Sequence, residues 1–275
     1  MTTHPVAQQF VQARLEARCL ADFPGTLPAS LEEAYAYQAQ AIDLWPDTVA
    51  GWKIGRIQPP WLERLGESRL VGPIFRRGIR AIVAGEPTDF PVFPGGFAAV
   101  EAEFIFRLAA DPPTDRQHWT ATEAGSLDSA LHIGVECAGS PLASINDQGP
   151  LAIVSDFGNN AGLLLGPEVA DWRARGFAAL TTATFVDGTS VGRGGAASLP
   201  GGPLAGLAFA LECCARLGRP LRKGDLVSSG ATTGVHEIRA GQSARVRFDG
   251  CGELLCRAVP ARPLGSGPVS GKGQH

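Results

Sequence analysis

The stretch Val100-Glu101-Ala102-Glu103-Phe104-Ile105-Phe106-Arg107-Leu108 has the alternating pattern of a β-strand. Side chains on a strand point alternately to its two faces, so one face is apolar and is formed by Val100, Ala102, Phe104, Phe106 and Leu108. Glu101 and Glu103 then lie together on the other face, about 7 Å apart along the strand. Two carboxylates so close repel each other unless a positive charge lies between them. The pattern therefore predicts either a solvated strand face, which is ordinary in antiparallel sheets, or a cation site.

A third carboxylate occurs in a short apolar strand predicted over residues 131–137. Glu136 lies between Val135 and Cys137, so we expect it to be partly buried, and a buried carboxylate requires a cation. No Cys/His cluster accompanies the three acids, and carboxylates alone are hard oxygen ligands that suit Mg²⁺, Mn²⁺ or Ca²⁺ and not zinc. Three protein carboxylates would leave coordination positions for water and for a chelating substrate.

Lys53 is the second unusual residue. It is one of three lysines, and unlike Lys223 in a predicted turn and Lys272 near the C-terminus, it lies in an apolar strand bounded by glycines. Burial lowers the pKa of a lysine and makes its amine available as a proton carrier. The alternative is a lysine at the end of a strand whose ammonium group reaches solvent.

The remaining pattern predicts an α+β architecture in which helices come first and strands follow. We expect a helix around Val6 and Leu15, a second helix that Ser30 caps, and two later helices that begin near Thr122 and Pro203. Asp187-Gly188 predicts a hairpin turn. Strands are predicted over residues 49–54, 79–83, 98–108, 131–137, 161–165, 180–186, 226–229, 244–248 and 253–259. The predicted organisation is an N-terminal helical region over residues 1–75, a β-rich catalytic domain over 76–262 and a flexible tail over 263–275.

Composition excludes several classes of protein. The 275 residues include 24 basic and 27 acidic side chains, a balance that argues against a nucleic-acid surface. No uninterrupted apolar stretch is long enough to cross a bilayer. The six cysteines form no C-x-x-C pair, and residues 1–10 lack the basic and apolar segments of a secretory signal. We therefore expect a cytoplasmic protein with reduced cysteines that binds neither membrane nor nucleic acid.

The order of these motifs resembles the fumarylacetoacetate hydrolase superfamily. The likeness is closest to the branch that contains 2-oxopent-4-enoate hydratase and 4-oxalocrotonate decarboxylase, and it covers roughly residues 5–260. It rests on Gly51-Trp52-Lys53-Ile54-Gly55, Glu101-Ala102-Glu103, Glu136, the stretch 159–166 and the stretch 221–230. The E-x-E motif alone is a weak signal, but the ordered set with its spacing is fairly specific.

The resemblance implies a mixed β-roll with a small helical N-terminal region. It implies that Glu101, Glu103 and Glu136 hold one Mg²⁺ or Mn²⁺ and that Lys53 is the catalytic or substrate-orienting lysine. Residues implied to bind a substrate carboxylate are Ser229, Thr232, Thr233 and Asn160. The implied reaction starts from a small 2-oxo acid that chelates the metal, whose Lewis acidity stabilises an enolate. A homo-oligomer, dimeric or higher, is also implied.

One stretch departs from the family pattern. Hydratases of this branch commonly carry an acidic pair between the lysine strand and E-x-E, whereas residues 70–77 contain no acid. The leading expectation is water addition to a short unsaturated acid such as 2-hydroxypenta-2,4-dienoate, an intermediate of aromatic catabolism. Decarboxylation, C–C hydrolysis of a related 2-oxo acid and a non-catalytic paralogue remain open alternatives.

Other candidate residues carry weaker signals. His132 shares a predicted strand face with Glu136, and His236 follows the 229–234 loop, but a structural role explains each equally or better. Asp156 and Asn159 lie in a loop where turn chemistry explains them as well as function does. The glycine-rich stretch 192–195 lacks the spacing of a nucleotide-binding loop, so we do not expect nucleotide binding.

Overall fold

The computed structural model describes residues 3–82, 85–113 and 115–264, which form two β-sheets with helices packed against them. The helices are α1 (Pro5–Leu15), α2 (Leu31–Leu44), α3 (Trp61–Leu65), α4 (Ala121–Ser126), α5 (Pro150–Ser155), α6 (Trp172–Arg175) and α7 (Gly202–Arg216). Short 3₁₀ helices cover Arg76–Gly78, Phe157–Asn159, Phe177–Ala179 and Ala196–Ser198. The strands are β1 (Val49–Arg56), β2 (Arg69–Phe75), β3 (Ile79–Ala81), β4 (Thr88–Val92), β5 (Phe97–Leu108), β6 (Ser129–Ser140), β7 (Asn160–Glu168), β8 (Thr181–Val186), β9 (Thr189–Gly195), β10 (Leu226–Ser228), β11 (His236–Glu237), β12 (Ser243–Phe248) and β13 (Gly252–Pro260).

The larger sheet has the order β2-β1-β10-β5-β6-β7-β3, and β11 also pairs with β5. It is mixed, because β1 runs parallel to β10 while β5 runs antiparallel to both β10 and β6. The smaller sheet has the order β4-β13-β12-β8-β9. Two mixed sheets with a few helices confirm the predicted α+β β-roll.

Alternation along β5 divides its two faces as predicted. Phe104 is fully buried and packs edge-on against Phe248 of β12, with ring centroids 5.5 Å apart, so the apolar face lies against the smaller sheet. The face that carries Glu101 and Glu103 is turned the other way. Both carboxylates are nevertheless buried, which excludes the solvated-face interpretation.

The N-terminal helices are tied to the sheet by a buried ion pair. Arg14 of α1 donates through Nε to Asp156 Oδ1, at 2.5 Å, and its other nitrogens donate to the carbonyls of Gly139 and Asn160. Ser30 caps α2 by accepting from the Glu33 backbone N–H at 3.2 Å. The Arg14 contacts hold the segment between α5 and β7, which forms part of the site.

The predicted helices and strands are present, but their first and last residues differ from the predicted ones. The hairpin at Asp187-Gly188 is confirmed, since it joins β8 to β9. Strands β2, β4, β9 and β11 were absent from the prediction, and the helix predicted near Thr122 covers Ala121–Ser126. The predicted domain boundary at residue 75 stays a prediction, and the structure places β1 and β2, which precede it, in the same sheet as β5. Of the predicted tail, residues 265–275 fall outside the described residues.

Within the described ranges, none of the helices combines the length and apolar character needed to cross a bilayer. All six cysteines have free thiols, as expected from their spacing.

Candidate metal centre and substrate cavity

Three glutamates converge on the central strand pair β5–β6. Glu101 lies directly opposite Glu136 across the antiparallel ladder, and Glu103 lies opposite Gly134. One carboxylate oxygen from each glutamate comes within 4.8 Å of the other two. Glu101 is 6% exposed and the other two are fully buried. The register of the two strands therefore brings together residues 33 to 35 positions apart in the chain.

The oxygens of Glu103 have unequal surroundings. Oε2 accepts a hydrogen bond from Ser228 Oγ at 2.5 Å and another from the Gly230 backbone N–H at 2.8 Å. Oε1 is buried without a hydrogen-bond partner. A buried acceptor left unpaired is costly in free energy, so this oxygen requires a partner such as a cation.

Glu136 shows the same division. Its Oε1 accepts from Asn160 Nδ2 at 3.1 Å and lies 3.2 Å from Lys53 Nζ, whereas its Oε2 is buried without a partner. Two unpaired carboxylate oxygens in one cluster of hard donors fit a divalent cation of the Mg²⁺ or Mn²⁺ class.

Burial and mutual repulsion shift the pKa values of the acids. Burial, together with the charge of Glu136, raises the pKa of Glu101 to about 8. Burial and the charges of Glu136 and Glu101 raise the pKa of Glu103 well above its ordinary value. When all three acids are ionised, the single ammonium group of Lys53 leaves an excess of negative charge that a divalent cation would neutralise.

Lys53 is buried as expected, but its pKa moves in the opposite direction from the prediction. Burial alone would lower the pKa of Lys53, and the charges of Glu136, Glu101 and Glu103 outweigh that effect and raise it. The expectation of a lysine with a lowered pKa is therefore wrong for the metal-free chain. The spacing of the acids along the sequence does not reveal how closely they surround this amine.

A cavity of about 560 Å³ opens beside the glutamates. Glu101 and Lys53 lie on its wall, and its other charged lining residues are Arg56 and Arg69. Apolar residues form much of the remainder: Ile54, Ile57, Leu62, Leu70, Ile153 and Leu199. An apolar cleft with a few convergent polar groups is typical of a small-molecule site.

The loop after β10 also borders this cavity, through residues 229–231. The Ser229 hydroxyl donates to the Phe104 carbonyl and the Thr232 hydroxyl to the Ala102 carbonyl, each at 2.7 Å. Thr233 Oγ1 pairs with Thr184 Oγ1 at 2.8 Å. The protons of Ser229 and Thr232 are therefore directed at β5, and the role of these side chains in substrate binding stays a prediction.

Asn160 and its neighbour Asn159 have different environments. Asn160 holds Glu136 and does not line the cavity, so its role in substrate binding also stays a prediction. Asn159 does line the cavity, and its Oδ1 is buried without a hydrogen-bond partner. The sequence left Asn159 open between a turn residue and a functional one, and its φ of +62° fits a turn. Its Nδ2 donates to Asn146 Oδ1 at 3.4 Å, which leaves Oδ1 without a partner.

A close backbone contact occupies the region where the family pattern would place an acid. Gly72 of β2 pairs with Lys53 of β1 and packs against Gly158. A Cβ atom on Gly72 would lie 2.3 Å from the Phe157 carbonyl oxygen. This contact lets the 157–159 turn pack directly over the lysine.

The weaker candidates lie away from the carboxylates. His132 Nδ1 contacts the Gly166 carbonyl oxygen at 3.1 Å, and His236 Nε2 contacts Thr233 Oγ1 at 3.1 Å. Asp156 pairs with Arg14. The glycine-rich stretch 192–195 belongs to β9, and a Cβ on Gly194 would lie 2.0 Å from the Thr232 carbonyl oxygen.

Comparison with known proteins gives relatives in sequence and in fold, although no family model matches the chain. The chain is 26% identical over 253 residues to a 2-keto-4-pentenoate hydratase of Burkholderia vietnamiensis (strain G4 / LMG 22486), covering 90% of this chain and 94% of the relative. A 4-oxalocrotonate decarboxylase from Pseudomonas putida G7, solved in complex with calcium and acetate, superposes with a TM-score of 0.72. It is 18% identical, and the match covers 92% of this chain and 96% of that structure.

A fumarylpyruvate hydrolase from Pseudomonas aeruginosa, solved with Mn²⁺ and pyruvate, superposes with a TM-score of 0.55 at 19% identity. That match covers 76% of this chain and 89% of the other. The predicted resemblance to the fumarylacetoacetate hydrolase superfamily, and within it to the branch of hydratases and decarboxylases, is therefore confirmed.

Proposed function

We propose that this chain is a divalent-metal-dependent hydratase, a lyase that adds water to a short unsaturated 2-oxo or 2-hydroxydienoic acid such as 2-hydroxypenta-2,4-dienoate. The observation that carries the proposal is the buried cluster of Glu101, Glu103 and Glu136, with unpaired oxygens, beside Lys53 and a cavity of about 560 Å³. The similarity to a 2-keto-4-pentenoate hydratase over 90% of the chain supports the same reaction.

Glu101, Glu103 and Glu136 would hold the cation. Mg²⁺ or Mn²⁺, once bound, supplies Lewis acidity towards the carboxylate and 2-oxo oxygens of a substrate. Hydrogen bonds from Ser228, the Gly230 amide and Asn160 fix the carboxylates of Glu103 and Glu136 and leave one oxygen of each without a partner. Such outer partners orient metal ligands and tune their affinity.

Lys53 holds a proton close to the reacting atoms. As an ammonium group, the side chain can donate to the oxygen or carbon where negative charge develops. Its ion pair with Glu136, at 3.2 Å, fixes the position of Nζ. Asn159 Oδ1, the unpaired amide oxygen on the cavity wall, can accept a hydrogen bond from the attacking water and orient it.

Decarboxylation is the alternative that one observation favours. Glu101 is the sole carboxylate among the described residues that line the cavity, and β2 contributes none. Loss of CO₂ requires no group that activates water, so a site with few bases suits it. C–C hydrolysis and a non-catalytic role of the same fold remain further alternatives.

The test follows consumption of 2-hydroxypenta-2,4-dienoate by the purified protein with Mg²⁺. We expect water addition to yield 4-hydroxy-2-oxopentanoate, and Lys53→Ala to lower kcat at least about 100-fold, in keeping with the loss of a general acid. Lys223→Ala, in an exposed turn, is the matched control and should retain full activity. Release of CO₂ from 4-oxalocrotonate without hydration would instead support the decarboxylase, and turnover of neither compound would contradict both of these reactions.

The broader expectations belong to the same proposal. We propose a homo-oligomer in the cytoplasm that takes part in aromatic-compound catabolism. Sedimentation velocity of the full chain tests the first point, since a monomer at micromolar concentration would contradict it.

A further inference from the structure

A second cavity, of about 220 Å³, lies between the β3–β7 edge of the larger sheet and β4 of the smaller sheet. Arg80 of β3, Leu164 of β7 and Phe90 of β4 belong to its wall. None of the residues that line this cavity lines the substrate cavity. The second cavity is therefore a separate space, and the proposed reaction does not use it.

Four aromatic side chains give this cavity its character, and we call it the aromatic cavity: Trp45, Phe75, Phe90 and Phe157. Phe157 meets Phe75 and Trp45 edge-on, with ring centroids 4.9 and 5.7 Å apart. Aromatic rings favour this edge-to-face geometry, and a further ring can pack against the same cluster. A cavity of about 150 Å³ with apolar walls is large enough for benzene. The aromatic cavity therefore has room for one ring and a small substituent.

Two exposed arginines, Arg77 and Arg80, give the wall of this cavity a positive charge. Neither takes part in an ion pair with any residue that the structure describes. Arg80 donates to the Asp89 backbone carbonyl at 2.8 Å, while the Asp89 carboxylate binds Arg257 through hydrogen bonds of 2.8 and 3.0 Å. Both guanidinium groups are thus available to an anion.

The other charged groups of the wall already have partners. Asp47 is the sole acid among the described lining residues, and its two oxygens accept the backbone N–H groups of Arg77 and Thr48 at 2.7 and 2.8 Å. Arg14 is paired with Asp156. Two arginines without ion pairs against one carboxylate leave the wall with a net positive charge, which favours an anionic ligand.

One short segment contacts both cavities. Phe157 and Asn160 line the aromatic cavity, whereas Asn159, between them, lines the substrate cavity. Asn160 Nδ2 also donates to Glu136 Oε1 at 3.1 Å, so the segment that forms one wall of the aromatic cavity holds a proposed metal ligand. A ligand that packs against Phe157 would restrict the motion of this segment and with it that of Glu136.

We propose that the aromatic cavity binds a small aromatic carboxylate of about the size of benzoate, and that the bound acid raises the affinity of the glutamate cluster for a divalent cation. The ring packs against Phe157, and the carboxylate binds Arg77 and Arg80, whose planar forks suit it. A segment that is already ordered loses less conformational entropy when the cation binds, which gives positive coupling between the two sites. The coupling rests on the proposed metal centre, but the binding of the acid does not.

The first test measures the binding of benzoate to the full chain by calorimetry, with Mg²⁺ and saturating oxalate to occupy the metal centre. Acetate has the charge without the ring, and benzyl alcohol has the ring without the charge. We expect benzoate to bind at least about tenfold more tightly than either, because ring packing and the charge-assisted hydrogen bonds both contribute.

Variants locate the site. Arg77→Gln and Arg80→Gln should each weaken benzoate binding at least about fivefold. Arg56→Gln, in the substrate cavity, and Arg239→Gln, an exposed arginine without an ion pair, should leave it unchanged. Benzoate that does not bind, or that binds equally well to both cavity variants, would overturn the site and leave the proposed function intact.

The second test titrates Mg²⁺ into the full chain with and without benzoate. We expect benzoate to raise the affinity for Mg²⁺ about fivefold, and Mg²⁺ to raise the affinity for benzoate by the same factor. Asn160→Ala should abolish this coupling while benzoate still binds in EDTA. The double variant Arg77→Gln/Arg80→Gln should also lose the coupling, which separates it from a direct contact between benzoate and the cation.

The outcomes of the second test are distinct. Equal affinities for Mg²⁺ with and without benzoate would overturn the coupling. Coupling that persists in the double glutamine variant would show that benzoate acts at the metal centre, and it would overturn the proposal as well. Failure of Mg²⁺ to bind in either condition would contradict the metal centre and with it the proposed function.

Discussion

Glu103 shows how one side chain can be fixed and still be available. Ser228 and the Gly230 amide hold one of its oxygens, and the other has no protein partner. At a surface position the free oxygen would be solvated, but Glu103 is fully buried. A buried carboxylate of this kind is stabilised when a cation binds, and it destabilises the folded state when no cation is present.

Replacing Glu103 with Gln should separate metal binding from folding. The amide oxygen can still accept from Ser228 and Gly230, so the fold is kept, while one negative ligand is lost. We expect Mg²⁺ affinity to fall at least about tenfold, as for changes around metal ligands generally, and the melting temperature in EDTA to stay level or rise. The control for calorimetry and thermal unfolding is Glu253→Gln, which removes a partly exposed carboxylate of β13 that pairs with Arg245. Unchanged Mg²⁺ affinity in Glu103→Gln would contradict the metal site.

Sequence patterns predicted strands well where side chains carry the signal. The alternation of β5 and β12 and the apolar run of β6 follow from burial of one face or both. Strand β9 was missed because its glycines give no periodic signal, and those glycines are required where β9 packs against the Thr232 carbonyl. Strand β2 was missed because Gly72 and Pro73 interrupt the pattern, although Gly72 permits the close approach to Gly158.

That close approach predicts an intolerance to small side chains. Gly158 has a φ of +64°, and a Cβ there would lie 2.6 Å from Gly72 Cα. We expect Gly158→Ala to lower the free energy of unfolding by about 2–4 kcal/mol, from backbone strain and overpacking together. The control is Gly218→Ala, with a φ of +72° and nothing within 4 Å, which should cost about 1 kcal/mol. Equal losses in chemical denaturation would show that the backbone contact contributes nothing.

The buried ion pair between α1 and the 156–160 segment should contribute far more to the free energy of unfolding than the exposed ion pair between Arg18 and Glu16. Arg14 and Asp156 are almost fully buried, whereas Arg18 and Glu16 are about half exposed. Arg14→Met leaves Asp156 buried without its cation and should cost about 3–5 kcal/mol in urea unfolding. Arg18→Met should cost less than about 1 kcal/mol. A small loss for Arg14→Met would show that solvent reaches Asp156.

At the scale of the whole molecule, the sequence indicated the residues of the proposed metal site but not the balance of charge among them. Glu101, Glu103, Glu136 and Lys53 were all identified from strand patterns and motif order. Their pKa values depend on how β1, β5 and β6 lie side by side, which no local pattern encodes. Asn159 gave a signal that turn chemistry explained equally well, and the cavity residues Arg56 and Arg69 gave none, because these positions are brought to the cavity by neighbours distant in the chain.

Stability in EDTA should depend on pH in a defined direction. The pKa of Glu101 is raised from 4.5 to about 8 in the fold, so the folded state retains a proton that the unfolded state releases. The free energy of unfolding therefore falls as the pH rises from about 4.5 to about 8. Mg²⁺ replaces the proton, and at 100 times its dissociation constant it should stabilise the chain by about 2.7 kcal/mol. The rise in melting temperature on adding Mg²⁺ should be larger at about pH 8 than at about pH 5, and the opposite trend would contradict these assignments.

The hydroxyls of Ser229 and Thr232 clasp the carbonyls of residues 104 and 102, on either side of Glu103. These hydrogen bonds tie the loop to the strand that carries two of the acids, so we expect the distance between the loop and the acids to change little when a ligand binds. Ligands that carry the same 2-oxo acid group at this end should therefore be accepted alike, and discrimination between their other ends should depend on the residues at the rim of the cavity. Substitutions meant to change the range of accepted compounds should therefore be made at the rim of the cavity, and Ser229 and Thr232 should be left unchanged.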